Sequence, residues 1–165
     1  MSASGGAFID SIANTDTVGS GDSVKPIMFK MRAPLLDQGR SNMYLAKTRN
    51  MWATLKVYAS GGENGLHAHP NEDHMFVVMQ GTARFFGPND EVADLGKYQG
   101  IMLPAGAFYN FQSTSEEPLV LMRVGCRVGP QDPSGRLDLE GNVLHSDSAE
   151  NGREEVIPRP NAYFG

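Results

Sequence analysis

His67-Ala68-His69-Pro70-Asn71-Glu72-Asp73-His74 gathers three of the four histidines of this chain into eight residues. On an extended backbone side chains alternate with a period of two, so His67 and His69 point to one face. Pro70-Asn71 reads as a turn, and an imidazole just beyond it can swing back to the same point. Three imidazoles converging on one point suit a divalent transition metal ion.

Outward from this cluster, glycine and proline punctuate the chain, and the segments between them are short and rich in β-branched and aromatic residues. Strands are expected near Ile27–Met31, Met51–Ala59, Leu66–Ala68, His74–Gln80, Thr82–Phe86, Gly100–Leu103, Tyr109–Gln112 and Leu119–Gly125. Turns are expected at Gly61-Gly62, Pro70-Asn71, Gly87-Pro88-Asn89-Asp90, Pro104-Ala105-Gly106 and Ser115-Glu116-Glu117-Pro118. A short helix is expected near Ser41–Ala46 and no long amphipathic one anywhere. Many short strands joined by turn-rich links imply an all-β sandwich or barrel.

Composition sets the outer bounds. A length of 165 residues, 40% hydrophobic and 20% charged, fits one globular domain with a real core. A net charge of −5 argues against nucleic acid as a partner, because phosphate binding needs a basic face. Cys126 is the single cysteine, so no internal disulfide can form. No apolar run reaches membrane-spanning length, and the N-terminus lacks the basic and apolar regions of a signal peptide. The expected setting is the cytoplasm. Residues 1–24 read as a flexible arm, 25–128 as the barrel and 129–165 as an extended tail. Tyr163 and Phe164 at its tip are costly to leave in water, so the tail is expected to pack on the barrel or on a second subunit.

The spacing of Gly61, His67, His69, His74 and Gly81 resembles the first motif of the cupin superfamily, whose usual pattern has Glu where this chain has His74. Pro104-Ala105-Gly106-Ala107-Phe108-Tyr109 resembles the second motif, with Tyr109 in the place of a histidine ligand and Ser113 in the place of a closing Asn. The two motifs and their flanking strands span about residues 50–128. The resemblance implies a double-stranded β-helix, or jelly roll, with a metal in its mouth, and often a homodimer. The gap back from Gly81 favours His74 as the third ligand and leaves Glu72 and Asp73 to cap the turn.

The metal set expected is thus His67, His69, His74 and Tyr109, holding one divalent transition ion per chain. Iron is the first choice, with zinc, manganese or nickel as alternatives. Tyr109 binds as a phenolate only if its pKa falls from about 10, which a bound cation favours. Otherwise it stays protonated beside the ion, as a hydrogen-bond or acid/base group. Alternation from His74 turns Phe76, Val78 and Gln80 inward, and alternation from Tyr109 turns Phe111 inward. Arg123 shares a face with Leu119 and Leu121; inward, it would anchor a substrate carboxylate, and outward it is an exposed strand charge. Strand 51–59 has one face with Trp52, Thr54, Lys56 and Tyr58 and another with Ala53, Leu55, Val57 and Ala59, either of which can line the pocket. Arg123, Gln80 and Lys56 are the candidate substrate-binding residues. His145 reads as an exposed histidine.

Three functions follow. The first is a non-haem Fe(II) dioxygenase acting on a small, chelating, anionic substrate. The second is a non-redox lyase, isomerase or cyclase in which the ion is a Lewis acid and Tyr109 the base. The third is a cupin that binds a small molecule without catalysis, since one scaffold hosts many functions.

Overall fold

The computed structural model describes residues 12–13, 26–59, 63–130, 135–145 and 154–165. The region expected to be an arm therefore lies almost wholly outside the described residues, as does the Gly61-Gly62 turn. Among the described residues the secondary structure is all strand, and no helix is long and apolar enough to cross a membrane.

β1 (Ile12–Ala13) and β2 (Met28–Phe29) form a short parallel pair. The main sheet contains β4 (Arg40–Lys47), β5 (Met51–Tyr58), β6 (Glu72–Gln80), β9 (Gly100–Leu103) and β11 (Leu119–Arg127). Its order is β4-β5-β11-β6-β9, antiparallel throughout. Facing it is an antiparallel sheet of β10 (Asn110–Ser113), β7 (Ala83–Phe86) and β8 (Val92–Leu95), in that order. β3 (Ala33–Gln38) pairs antiparallel with β12 (Ile157–Phe164) and lies against the outside of the main sheet.

Two cores result. Between the sheets, Tyr58, Phe76, Val78, Leu119 and Leu121 pack on Ala83, Phe85 and Phe111. Phe85 and Phe111 stand 4.8 Å apart and Tyr58 and Phe111 4.9 Å, spacings at which aromatic pairs attract beyond simple burial. On the outer side, Leu55, Val57 and Val120 pack under Ala33, Leu36 and Leu45. The main sheet is covered on both faces, so Thr54 to Ala59 are all buried and the usual wet–dry alternation disappears. The facing sheet keeps a wet side, on which Arg84 and Asp94 pair at 2.6 Å.

Residues opposite one another on neighbouring strands share a face, which stacks the inward side chains in rows. Trp52, Gly125, His74 and Leu103 form one row; Thr54, Arg123, Phe76 and Ile101 form the next; Lys56, Leu121 and Val78 follow. This register answers which side of strand 51–59 faces the interior: it is the side of Trp52, Thr54, Lys56 and Tyr58. Arg123 points inward and is 8% exposed.

Ser41–Ala46 is not a helix. It lies in β4, an outer strand of the main sheet whose ladder with β5 slips between Tyr44 and Ala46. The slip breaks the alternation that marks a strand, and pairing with β5 overrides the local preference. The His-x-His segment, too, is extended without being a full strand. Single bridges hold it, His67 to Tyr109 and Ala68 to Leu137. Gly81 has a positive φ, 75°, in the tight link from β6 to β7.

Candidate metal centre

Three backbone contacts aim the histidine segment. His67 and Tyr109 exchange hydrogen bonds of 3.1 and 2.9 Å, which couples the two sequence motifs directly. Ala68 and Leu137 exchange a second pair, so the C-terminal segment closes the other side. The Gly106 amide donates to the His69 carbonyl at 2.8 Å. Asp73 does cap a turn, that at Pro104–Gly106: its Oδ1 accepts from the Ala105 amide at 2.8 Å.

His67, His69 and His74 are all buried. Their ring centroids lie 5.2 Å (His67–His69) and 4.3 Å (His69–His74) apart. Burial pushes His67 and His74 down to about 3 and lowers His69 as well, so each is neutral near pH 7 with a lone pair to offer. His67 Nδ1 lies 2.7 Å from the Gly65 carbonyl. That carbonyl can only accept, so Nδ1 carries the hydrogen and Nε2 the lone pair. His67 Nε2 and His69 Nε2 are buried without a hydrogen-bond partner among the described residues.

Among the described residues, the group of ligand atoms with the spacing for one ion is His69, Glu72 and His74, all within 4.8 Å of one another. Glu72 Oε2 lies 3.3 Å from His69 Nδ1 and 3.1 Å from His74 Nε2. Two imidazoles and a carboxylate, beside a third imidazole with an orphaned nitrogen, are donors that fit a divalent transition ion. Sequence reasoning assigned Glu72 to the turn. Alternation along β6 puts Glu72, His74 and Phe76 on one face.

Tyr109 is buried against this group, its ring 4.7 Å from that of His67 and its Oη 3.4 Å from His74 Nδ1. Burial pushes its hydroxyl up, so it holds its proton in the surroundings described. Trp52 packs edge-on to His74 at 6.4 Å. Gly125 makes room for it, since a Cβ there would fall 2.4 Å from the indole.

Arg123 Nη2 lies 2.6 Å from His74 Nε2. A guanidinium only donates and a carboxylate only accepts, so Nε2 cannot hydrogen-bond Arg123 and Glu72 at once, and a lone pair given to Arg123 cannot also serve a metal ion. Lys56 is buried behind Arg123, donating to Tyr58 Oη at 2.9 Å. Gln80 is turned to another use: its Nε2 donates to the Pro118 carbonyl at 3.0 Å, at the far end of β6 from His74. His145 is exposed and borders the cavity that His69 and Glu72 line. That cavity, about 320 Å³, also takes in Arg136, which sequence reasoning passed over because it lies in a segment without periodicity.

Residues 54–125 match the family model described as a cupin domain. This stretch is a cupin domain. Solved structures agree with that assignment. The cupin domain of Schizosaccharomyces pombe Cnp3 matches at 18% identity and a TM-score of 0.51, covering 56% of this chain and 67% of that one. A Klebsiella pneumoniae protein with a double-stranded β-helix domain matches at 17% identity and a TM-score of 0.51, covering 56% and 81%. The Bacillus halodurans protein BH2720 matches at 25% identity and a TM-score of 0.50, covering 56% and 72%. These are likenesses of fold. No curated protein matches the sequence. The cupin match begins inside β5 and ends inside β11, so β3, β4 and β12 lie outside it.

Proposed function

We propose that this cupin is a metal-dependent enzyme of the non-haem Fe(II) dioxygenase type, acting on a small, chelating, anionic substrate. The observation that carries the reading is the His69–Glu72–His74 group, two imidazoles and one carboxylate within 4.8 Å. Such a set, which leaves coordination positions open, is the donor type that suits non-haem Fe(II). The ion supplies, when bound, a Lewis-acidic and redox-active centre in a partly dry cavity.

The remaining work falls to the chain itself. Neutral His69 and His74 offer lone pairs, and Glu72 offset part of the ion's charge. His67, its Nδ1 tied to Gly65, holds Nε2 toward the interior as an adjoining donor. Tyr109 keeps its proton and offers a hydrogen bond at the edge of the group. Phe76 and Trp52 exclude water from behind His74. Ligation of His74 Nε2 would require Arg123 to give up its contact with that nitrogen, which would free its planar fork for a carboxylate.

The test is elemental analysis of protein purified without a histidine tag, with oxygen uptake on chelating phenolic and keto acids. Near-stoichiometric iron with oxygen uptake is expected, and His69→Ala is expected to lose the metal while keeping its far-UV circular dichroism. Zinc or manganese without oxygen uptake would move the enzyme to the non-redox class. A wild-type protein that retains no metal would overturn both.

A further inference from the structure

Beyond the histidines the mouth of the barrel opens into a second cavity of about 400 Å³, whose walls include Arg40, Lys56, Arg123 and Arg136. It shares Tyr44, Arg123 and Arg136 with the cavity that His69 and Glu72 line, so the two adjoin. Among the described residues no carboxylate lines it. Buried cations are costly unless an opposite charge compensates them.

Here the compensation within the protein is thin. Lys56, 6% exposed, donates to Tyr58 Oη, a neutral acceptor. Arg123 reaches Glu72 Oε2 only at 3.9 Å. Arg123 Nε, Arg136 Nη1 and Ser41 Oγ are buried with no hydrogen-bond partner among the described residues. Burial, and then the charges of Arg123, Arg136 and Arg40, push the Lys56 amine well below its ordinary range. Arg40, by contrast, donates to the Glu63 carbonyl and to Asn64 Oδ1. An anionic group seated among Lys56, Arg123 and Arg136 would supply the missing counter-charge and acceptor.

We infer that this cavity seats a carboxylate remote from the metal centre, so that the ligand of the whole mouth is a small dicarboxylate: one end chelates at the histidine group and the other lies between Lys56 and Arg136. The inference rests on the proposed function for the chelating end alone. A guanidinium fork favours a carboxylate because two parallel N–H groups match its two oxygens. A monoanion satisfies one end of the site, and a neutral diamide satisfies neither.

Isothermal titration of the full chain tests this, run in parallel on chelator-treated and metal-loaded protein with metal content measured in each. The probes are succinate, glutarate, acetate and succinamide. In metal-loaded wild type the better of the two dicarboxylates is expected to bind at least about tenfold tighter than acetate, with succinamide silent. Lys56→Met and Arg136→Gln are each expected to lower that affinity by about tenfold or more, with metal content unchanged. Acetate binding as tightly as both dicarboxylates would overturn the inference, and that comparison needs no variant. So would variants that fold, hold metal and keep wild-type affinity. Dicarboxylate binding that depends on Lys56 in a protein that never takes up metal would overturn the proposed function and support the cavity. Metal uptake with no preference for dicarboxylates would do the reverse.

Discussion

The barrel interior has an apolar part and a polar part, built on the same strands and sharing cross-strand rows, and the two do opposite things. In the apolar part Tyr58, Phe76, Val78 and Leu121 of β5, β6 and β11 pack on Phe85 and Phe111. In the polar part the same three strands carry Thr54, Lys56, Glu72, His74 and Arg123. The apolar part has its rings in attractive contact. The polar part leaves Thr54 Oγ1, His67 Nε2, His69 Nε2 and Arg123 Nε buried and unpartnered among the described residues. Folding is driven by the apolar part, which holds in place a set of polar groups that would not assemble unaided. Unsatisfied groups concentrated in one place are the mark of a site that waits for a ligand.

Truncating the apolar part should therefore cost most. Phe76→Ala removes a ring that contacts Phe85, Phe111 and Tyr109, and is expected to lower stability by about 3–5 kcal/mol in denaturant unfolding. A loss below about 1 kcal/mol would mean that this part is not the main source of stability.

Acid should attack the mouth instead. Burial holds His67 and His74 at about 3, against an ordinary value of 6.5. Between those values the unfolded chain binds protons that the folded chain refuses, so stability rises with pH there. It is complete above about 6.5 and falls as pH drops toward 3, each imidazole adding up to about 1.4 kcal/mol per pH unit. Urea unfolding of chelator-treated protein from pH 7 to 4 checks the sign, and a flat profile would contradict the burial of these rings.

In the row of His74, Gly125→Ala places a Cβ against the indole of Trp52. Overpacking of this kind is expected to destabilise by about 1–3 kcal/mol. Trp52 is the single tryptophan of the chain, so its fluorescence reports the displacement directly. The smallest effect belongs to the wet face of the facing sheet. Arg84→Ala breaks an exposed ion pair with Asp94 and should leave the melting temperature unchanged within error.

How much of this was legible depended on how far each signal stayed local. β5, β6 and β11 announced themselves by β-branched and aromatic runs, and the histidine segment by its spacing. β3, β4 and β12 did not. β4 is read as a helix because its alternation slips at Tyr44. β12 carries Pro158 and Pro160, which remove ladder donors, and it pairs with β3 irregularly, as an outer strand can. At the mouth, His67, His69 and His74 could be read as a group because they lie close in sequence. Glu72 was assigned to the turn, and the structure brings its carboxylate beside His69 and His74. Arg40 and Arg136 went unseen, because nothing near either of them in sequence points to the mouth.

From the sequence alone came the all-β barrel, the cupin motifs and the kind of chemistry that three clustered imidazoles support. These are matters of period and spacing, which the backbone fixes locally. Only the tertiary structure decided that Arg123 and Lys56 face inward, that Glu72 joins His69 and His74, and that four basic residues from distant segments wall one cavity. Which face of a strand is inside depends on what covers the other face, and in the main sheet β3 and β12 bury that other face as well. With both sides dry, hydrophobicity no longer distinguishes them, and cross-strand register alone makes the choice.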